Sequence, residues 1–298
     1  MNKTLIILVT FNGSKWLKEV LKSIGTGLEY HVWARDNGST DETVSLLNNH
    51  PAVTYFSKGE NIGFGCANNE GIIFALAQNY DSVFLLNQDC RIQSDLFLSL
   101  RSFGLTNKEN VTCPIQLNWN GIGANLNFSA RYAPDWASHK EPFEVDFVNA
   151  AAWFIPISLV KKVGGFNPVF FMYGEDRDWG RRLLEIGGQF TVLPNLFCYH
   201  HSSIQHKRQN IIETKKKIIF SYEVTEFFFS NKNFTEWKKG WIKRALKRSF
   251  RRKQLFNTVT LINPIAEVRV YRLFQLSAPT WGEVRKKSMF SSPFLLDN

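Results

Sequence analysis

Two hydrophobic periods alternate along the first ninety residues. Residues 4–11, TLIILVTF, form an uninterrupted apolar run of the kind a parallel strand buried on both faces requires. A polar turn, Asn12-Gly13-Ser14, follows, and Ser14 is placed to cap a helix in which Trp16, Leu17, Val20, Leu21 and Ile24 recur at helical spacing. HVWAR (31–35) predicts a second strand that stops at Asp36, and the polar turn after it feeds a helix from about Asp41 to Asn48. VTYFS (53–57) predicts a third strand, Lys58 to Cys66 a Gly-rich loop, Asn68 to Gln78 a helix, and SVFLLN (82–87) a fourth strand ending at Gln88-Asp89. Such alternation implies an α/β fold with a mostly parallel sheet and helices on both faces. Sheets of this kind bind ligands beyond the carboxyl ends of their strands. Thr10, Asn12, Asp36, the Asn61 loop and Asp89 all fall at such ends.

From 110 to 148 the pattern loosens into short strands and turns (VTCPIQLNW, then NGIGANLNF), which predicts a hairpin or flap over the sheet. DFVNAAAWFIP (146–156) is strand-like again, with a short helix over Val160 to Gly165. QFTVLP (189–194) predicts another strand, LFCYHHSS follows it, and residues 207 to 230 have a helical pattern.

The stretch FFMYGEDRDWGRRLLEIGG (170–188) organises the rest. An apolar run breaks at Gly174, a helix starts with Glu175 and Asp176 in its first turn, and Gly187-Gly188 supplies a left-handed stop. Helical periodicity puts Trp179, Leu183 and Ile186 on one face, with Glu175 and Asp176 on that same side. Asp178, Arg181, Arg182 and Glu185 fall on the other face, where Asp178 with Arg182 and Arg181 with Glu185 are spaced as surface ion pairs. Two carboxylates directed inward are costly unless paired, liganded or used. Acids in a first turn also complement the helix dipole, which is the bland account of Glu175.

Composition alters this picture in one place. The 298-residue chain is 44% hydrophobic, enough for a large core, and carries a net charge of +10. Residues 236–253 hold nine Lys/Arg against one acid and therefore +8 of that total, whereas the first 235 residues are neutral. In TEWKKGWIKRALKRSFRRKQLF, Trp237, Trp241, Ile242, Ala245, Leu246 and Phe250 share a helical face and basic residues fill the remainder, the pattern of an interfacial helix on an anionic membrane surface. Nucleic acid is the rival partner for such a charge, but no nucleic-acid module accompanies it and the body is neutral. Cys66, Cys90, Cys113 and Cys198 match no zinc or redox spacing and suit a reduced, cytoplasmic setting. The N-terminal apolar run is short for a signal peptide, and no stretch reaches the roughly 20 residues of a spanning helix.

Asp89 ends an apolar strand. It is either a carboxylate at the mouth of the crevice, where a hard divalent cation on a diphosphate needs only one or two, or an Asp forming its own turn. Asp36 taken alone is an ordinary turn residue. His200 and His201 follow a strand; imidazole is the commonest metal ligand, but adjacent histidines point different ways. Signatures of serine hydrolases, zincins and P-loop enzymes do not occur in the sequence.

Five blocks, VTFNG, ARDNGSTDET, GENIGFGCANNEGI, LLNQD and GGFNPVFFMYGEDRDWGRRL, stand in an order and at separations that resemble the inverting family-2 glycosyltransferases, particularly bacterial rhamnosyltransferase-like members that build cell-surface polysaccharides. The resemblance covers about residues 4 to 203. It implies a single Rossmann-like, GT-A type catalytic domain over 1–205, with a helical, basic and membrane-associating region over 206–298. It also implies that Thr10, Asn12 and Asp36 hold the nucleotide, with Asn61 and Asn68 on the donor-side loop. Asp89 matches the last acid of the DxD-like element that carries Mg²⁺ or Mn²⁺ on the diphosphate. Asp176 matches the catalytic base, supported by Glu175, and His200 or its neighbour His201 a histidine that completes the metal site. The chain departs from the family pattern at Asn87, which replaces the first acid of the DxD-like element, at Ala150 in place of a glycine, at Arg35 in place of an apolar residue, and at Asn167 in place of an acid.

The activity implied is a single inverting displacement from a nucleotide-sugar donor onto a lipid-linked saccharide acceptor at the cytoplasmic face of the cell membrane, as in O-antigen synthesis. dTDP-L-rhamnose is the leading donor, with UDP-galactose or another UDP-hexose as its competitor. A glycosidase needs two carboxylates flanking the bond, and Glu175 and Asp176 are too close in sequence for that. The contrasting class is a non-catalytic nucleotide-sugar-binding protein.

Overall fold

The structure is a computed structural model. It describes residues 3–93, 96–126 and 128–201, together with Glu223, Glu236, Trp237 and residues 239–241. Among the described residues nine strands form one sheet: β1 (Thr4–Thr10), β2 (Tyr30–Asp36), β3 (Val53–Lys58), β4 (Ser82–Asn87), β5 (Cys90–Ile92), β6 (Val111–Asn118), β7 (Phe143–Val145), β8 (Ala152–Pro156) and β9 (Phe190–His200). The helices are α1 (Ser14–Ile24), α2 (Thr43–Asn48), α3 (Phe64–Ala77), α4 (Leu96–Thr106), α5 (Ile157–Val163) and α6 (Glu175–Glu185).

Strand order is β3-β2-β1-β4-β8-β6-β9-β5, with β7 beside β9. Strands β1 to β4 are mutually parallel, β8 lies antiparallel between β4 and β6, and β9 runs parallel to β6. The sheet is therefore mixed and mostly parallel. Each of the seven residues of β1 is buried, because the strand feeds two cores. Leu5, Ile7 and Val9 pack with Ala67 and Ile72 of α3, Val160 of α5, and Trp179 and Leu183 of α6. Ile6 and Leu8 pack with Leu17 and Val20 of α1, Leu47 of α2 and Leu100 of α4. A strand covered by helices on both sides has to be apolar throughout, which is why the first run reads so plainly.

β2 and β4 leave β1 on opposite sides, so the switch point of the sheet lies at the carboxyl ends of β1 and β4. At the far side, β9 bulges between Leu193 and Phe197, and beyond the bulge it pairs with β5, Cys90 opposite His200.

Several expectations are corrected. Of the hairpin or flap expected from Val111, the flap is not found: β6 lies inside the sheet between β8 and β9, and the chain then turns back so that Ala124 bridges Leu117 antiparallel, with Ile122 exposed. Strand β5 and helix α4 are additional to the predicted elements. α3 begins at Phe64, four residues early, because Gly63 adopts φ +87° and turns the chain into the helix. Ser14 does not cap α1; Asp41 does this from the neighbouring loop, its Oδ2 accepting Ser14 N–H (3.2 Å) and Ser14 Oγ–H (2.7 Å). The region 207–230 and most of 236–253 lie outside the described residues. Trp237 and Trp241 are helical and buried, so these two rings do not form an exposed membrane-facing stripe. No helix among the described residues is long and apolar enough to cross a membrane.

Candidate active site

The loops at the carboxyl ends of β1 and β2 are one hydrogen-bonded unit. Asp36 is fully buried, and its carboxylate accepts four hydrogen bonds: from Thr10 Oγ1 (3.0 Å), Ser39 Oγ, and the N–H groups of Gly38 (3.0 Å) and Ser39 (2.8 Å). A carboxylate with its acceptor sites filled shapes a loop rather than meeting a ligand. Asn12, at φ +48°, staples the two loops: its Oδ1 accepts Thr40 N–H (2.9 Å) and its N–H donates to Ser39 Oγ (2.8 Å). Asn61 Oδ1 accepts Gly63 N–H (3.0 Å), forming the turn before α3. Asn68 lies within α3, as its helical pattern predicts, and is buried, with Nδ2 donating to Phe64 O (2.9 Å). Of the five residues expected around the nucleotide, Thr10, Asp36 and Asn68 are inside the protein and organise the crevice; Asn12 is exposed and Asn61 half-buried.

Gln88 extends β1 by imitating a backbone. Its Oε1 accepts Phe11 N–H (2.9 Å) and its Nε2 donates to Phe11 O (3.0 Å), which sets Asp89 beside the β1–α1 loop. Asp89 O accepts His201 N–H (2.9 Å), and the Asp89 Oδ1 stands 3.5 Å from His200 Nε2. The strand alternation that aims His200 at Asp89 sends His201 the other way, against Trp16 (ring centroids 5.1 Å) and Trp119 (6.2 Å). Two ligands at about 2.1 Å from one octahedral ion stand roughly 3 Å apart, so the 3.5 Å between Asp89 Oδ1 and His200 Nε2 would admit a divalent cation held by both. Among the described residues no group of three or more His, Cys, Asp or Glu gathers around one point.

The acids of α6 reach the same edge. Tyr173 (φ +70°) and Gly174 (φ +102°) turn the chain sharply into the helix. Glu175 is buried, its Oε2 without a hydrogen-bond partner among the described residues. Burial, and then the charge of Asp176, push its pKa up to about 8. Asp176 is half-buried; burial raises its pKa, opposed by Arg177 and by the backbone N–H groups of Arg177 and Ala150. Ala150 leads into β8, and Ala151 O accepts Asn87 N–H (3.0 Å), two residues before Asp89. The Tyr173 phenol lies within electrostatic reach of both Glu175 and Asp89, and with burial their charges raise its pKa. The structure thus brings Asp176, Glu175, Asp89 and His200 to one edge of the sheet.

The remainder of α6 corrects the expected faces. Asp178 and Arg182 are not a surface pair. Both are buried, Arg182 Nε to Asp178 Oδ2 is 3.1 Å, and the guanidinium also donates to Val163 O (2.6 Å) and Gly165 O (2.7 Å). Trp179 Nε1 donates to Gly164 O (2.9 Å), and Asn69 exchanges two hydrogen bonds with the backbone of Phe166. These contacts fix α6 against α5 and α3 and so fix where its acids stand. Ile186, expected inside, caps the helix and is exposed. The stop is as read: Gly187 N–H donates to Leu184 O and Gly188 N–H to Leu183 O, a Schellman motif.

Comparison with known proteins gives three findings. Residues 5–119 match the model of the glycosyl transferase family 2 domain. The chain is 27% identical over 181 residues to the low-salt glycan biosynthesis hexosyltransferase Agl10 of Haloferax volcanii, covering 57% of this chain and 58% of that one; it is 22% identical over 255 residues to the rhamnosyltransferase WbbL of Escherichia coli K12, covering 77% and 96%. In fold it is similar to GalNAc-T7 solved with UDP, GalNAc and Mn²⁺ (TM-score 0.63, 13% identity, 94% of this chain and 58% of that one) and to residues 1–349 of S. aureus TarS with UDP-GlcNAc (TM-score 0.52, 16% identity, 96% and 88%).

Proposed function

We propose that this chain, whose residues 5–119 match the glycosyl transferase family 2 model, transfers a sugar, with inversion, from a nucleoside-diphosphate donor to a saccharide hydroxyl. The observation that carries this reading is the chain of contacts that runs from the half-buried Asp176 through Ala150, Ala151 and Asn87 toward the Asp89–His200 pair. Asp176 takes the acceptor proton as the hydroxyl oxygen attacks the anomeric carbon and the nucleoside diphosphate leaves from the opposite face. Its backbone donors hold the carboxylate, and the raised pKa brings it toward a useful basicity. Glu175, protonated near neutral pH, adds no second charge beside it. Asp89 and His200 would hold Mg²⁺ or Mn²⁺, which when bound neutralises charge on the departing diphosphate. The nucleotide rests on the Asn12 and Asn61 loops that Thr10, Asp36 and Asn68 organise.

The name of the Escherichia coli relative favours rhamnose as the sugar, and the resemblance favours dTDP-L-rhamnose as its donor; the UDP compounds in the structural neighbours keep UDP-hexoses in competition. For the acceptor we propose a lipid-linked saccharide of a cell-surface polysaccharide, met at the inner face of the membrane. Residues 1–205 would form the catalytic unit and 206–298 the attachment, through the basic residues of 236–253 rather than through Trp237 and Trp241.

The test is a panel of dTDP- and UDP-sugars assayed for slow hydrolysis and for metal-dependent thermal protection, with Asp89→Ala as control. The reading expects one donor to be used and the control to lose the metal response. Failure of every donor to bind under any metal condition contradicts it.

A further inference from the structure

Arg35 occupies a strand position where an apolar residue would ordinarily fill the layer between sheet and helix. It follows Trp33 on the same face of β2, directed at α3. It is 4% exposed, and a guanidinium so buried must be satisfied by neighbours. Its partners come from three separate pieces of chain. Nε donates to Glu70 of α3 (3.0 Å), and one terminal nitrogen donates to Asp36 O (2.9 Å), to the Asn37 side chain, and to Glu60 O (2.8 Å) in the Gly-rich loop. Gly59 leaves room for it, since a Cβ there would come within 2.9 Å of the guanidinium. Around this hub Asn37 N–H donates to Thr10 O (2.7 Å), Gly59 N–H to Asp36 O (3.1 Å) and Asn37 Nδ2 to Gly63 O (3.3 Å). The loops after β1, β2 and β3 are thereby one body.

We propose that Arg35 is a positioning residue for the nucleotide half of the site: it pre-assembles the Asp36–Thr40 and Gly59–Gly63 loops into the shape that receives a nucleoside diphosphate. The proposal rests on the transferase reading above. Loops that are already ordered spare the ligand the cost of ordering them, so the effect of Arg35 falls on binding. The acids on α6 are held by other contacts, those of Asp178, Arg182 and Trp179, so the chemical step does not depend on Arg35. A lysine cannot replace it, having no planar fork to reach Glu70 and the two carbonyls together. Glu70, 44% exposed, is the outermost partner and the most dispensable.

The experiment compares the full-length protein with Arg35→Lys and Glu70→Gln, titrating UDP and dTDP by calorimetry and then measuring kcat and donor KM with the active donor. Arg35→Lys is expected to weaken nucleotide binding and raise donor KM by about tenfold or more, the size of losing hydrogen bonds from a charged donor, with kcat within about threefold of wild type. Glu70→Gln is expected to change either quantity by less than about threefold. Thermal unfolding of each variant without ligand identifies a folded sample; if Arg35→Lys does not fold, Arg35→Met and Asn37→Ala carry the same KM-against-kcat comparison. Wild-type nucleotide affinity in Arg35→Lys, or a loss confined to kcat, overturns the inference alone. A wild-type protein that binds neither nucleotide overturns the transferase reading beneath it.

Discussion

Asp178 and Arg182 stand four residues apart on α6 and meet in the interior at 3.1 Å, the arginine spanning onward to the carbonyls of Val163 and Gly165. An exposed pair at this spacing contributes under about 1 kcal/mol. Removing one partner of a buried pair costs about 3–5 kcal/mol, because the other charge is left uncompensated. Asp178→Ala should therefore lower the unfolding free energy in urea by that larger amount. A loss below 1 kcal/mol would mean that the pair is exposed in solution.

His200 and His201 should separate cleanly. His200→Ala removes one of the two side chains at the proposed cation position and should raise the Mn²⁺ concentration needed for half-maximal activity by about tenfold or more. His201 packs between Trp16 and Trp119, so His201→Ala should leave the metal requirement alone and lower the melting temperature. Reversal of the two phenotypes in a metal titration would assign the ligand to His201.

Glu175 ties stability to pH with a definite sign. Its folded pKa, about 8, exceeds the ordinary 4.5. Between those values the folded state holds a proton that the unfolded chain has released. Stability from this group is therefore full below about 4.5 and declines as pH rises toward 8. Glu175→Gln should flatten that decline and make the protein more stable than wild type at pH 8. Chemical denaturation at pH 5 and pH 8 checks it; an unchanged slope would place the carboxyl in water.

Gly63 tests how the donor-side loop and the start of α6 touch. A Cβ there would lie 2.1 Å from Phe171 O, and φ is +87°. Both the backbone conformation and a fixed carbonyl oppose any side chain. Gly63→Ala should destabilise by about 1–3 kcal/mol. Wild-type stability in a urea melt would contradict the close approach.

What the sequence disclosed follows from local physics. β1 and β4 are legible because strands with helices on both faces need unbroken apolar runs, and SVFLLN coincides with β4 residue for residue. The end of α6 is legible because Gly187 must adopt φ +81°. The strand in VTCPIQLNW is legible and coincides with β6, but its place inside the sheet depends on pairing with β8 and β9 rather than on period. The burial of Asp178 is not legible in its spacing, because the carbonyls that make its partner welcome inside, at 163 and 165, lie outside α6. The Asp41 cap and the Arg35 hub are likewise contacts across loops, invisible to spacing within one helix or strand. The pairing of Asp89 with His200 depends on the bulge in β9, which nothing in LFCYHHSS announces.

Asp176→Asn is the sharpest trial of the account. The substitution preserves shape while removing the proton acceptor, and both kcat and the dissociation constant for the nucleoside diphosphate can be measured on the same sample. The account predicts a fall in kcat of about 10²–10⁴-fold, the range of general-base catalysis, with the dissociation constant within about threefold of wild type. A variant that keeps its kcat, or loses nucleotide binding together with turnover, contradicts it.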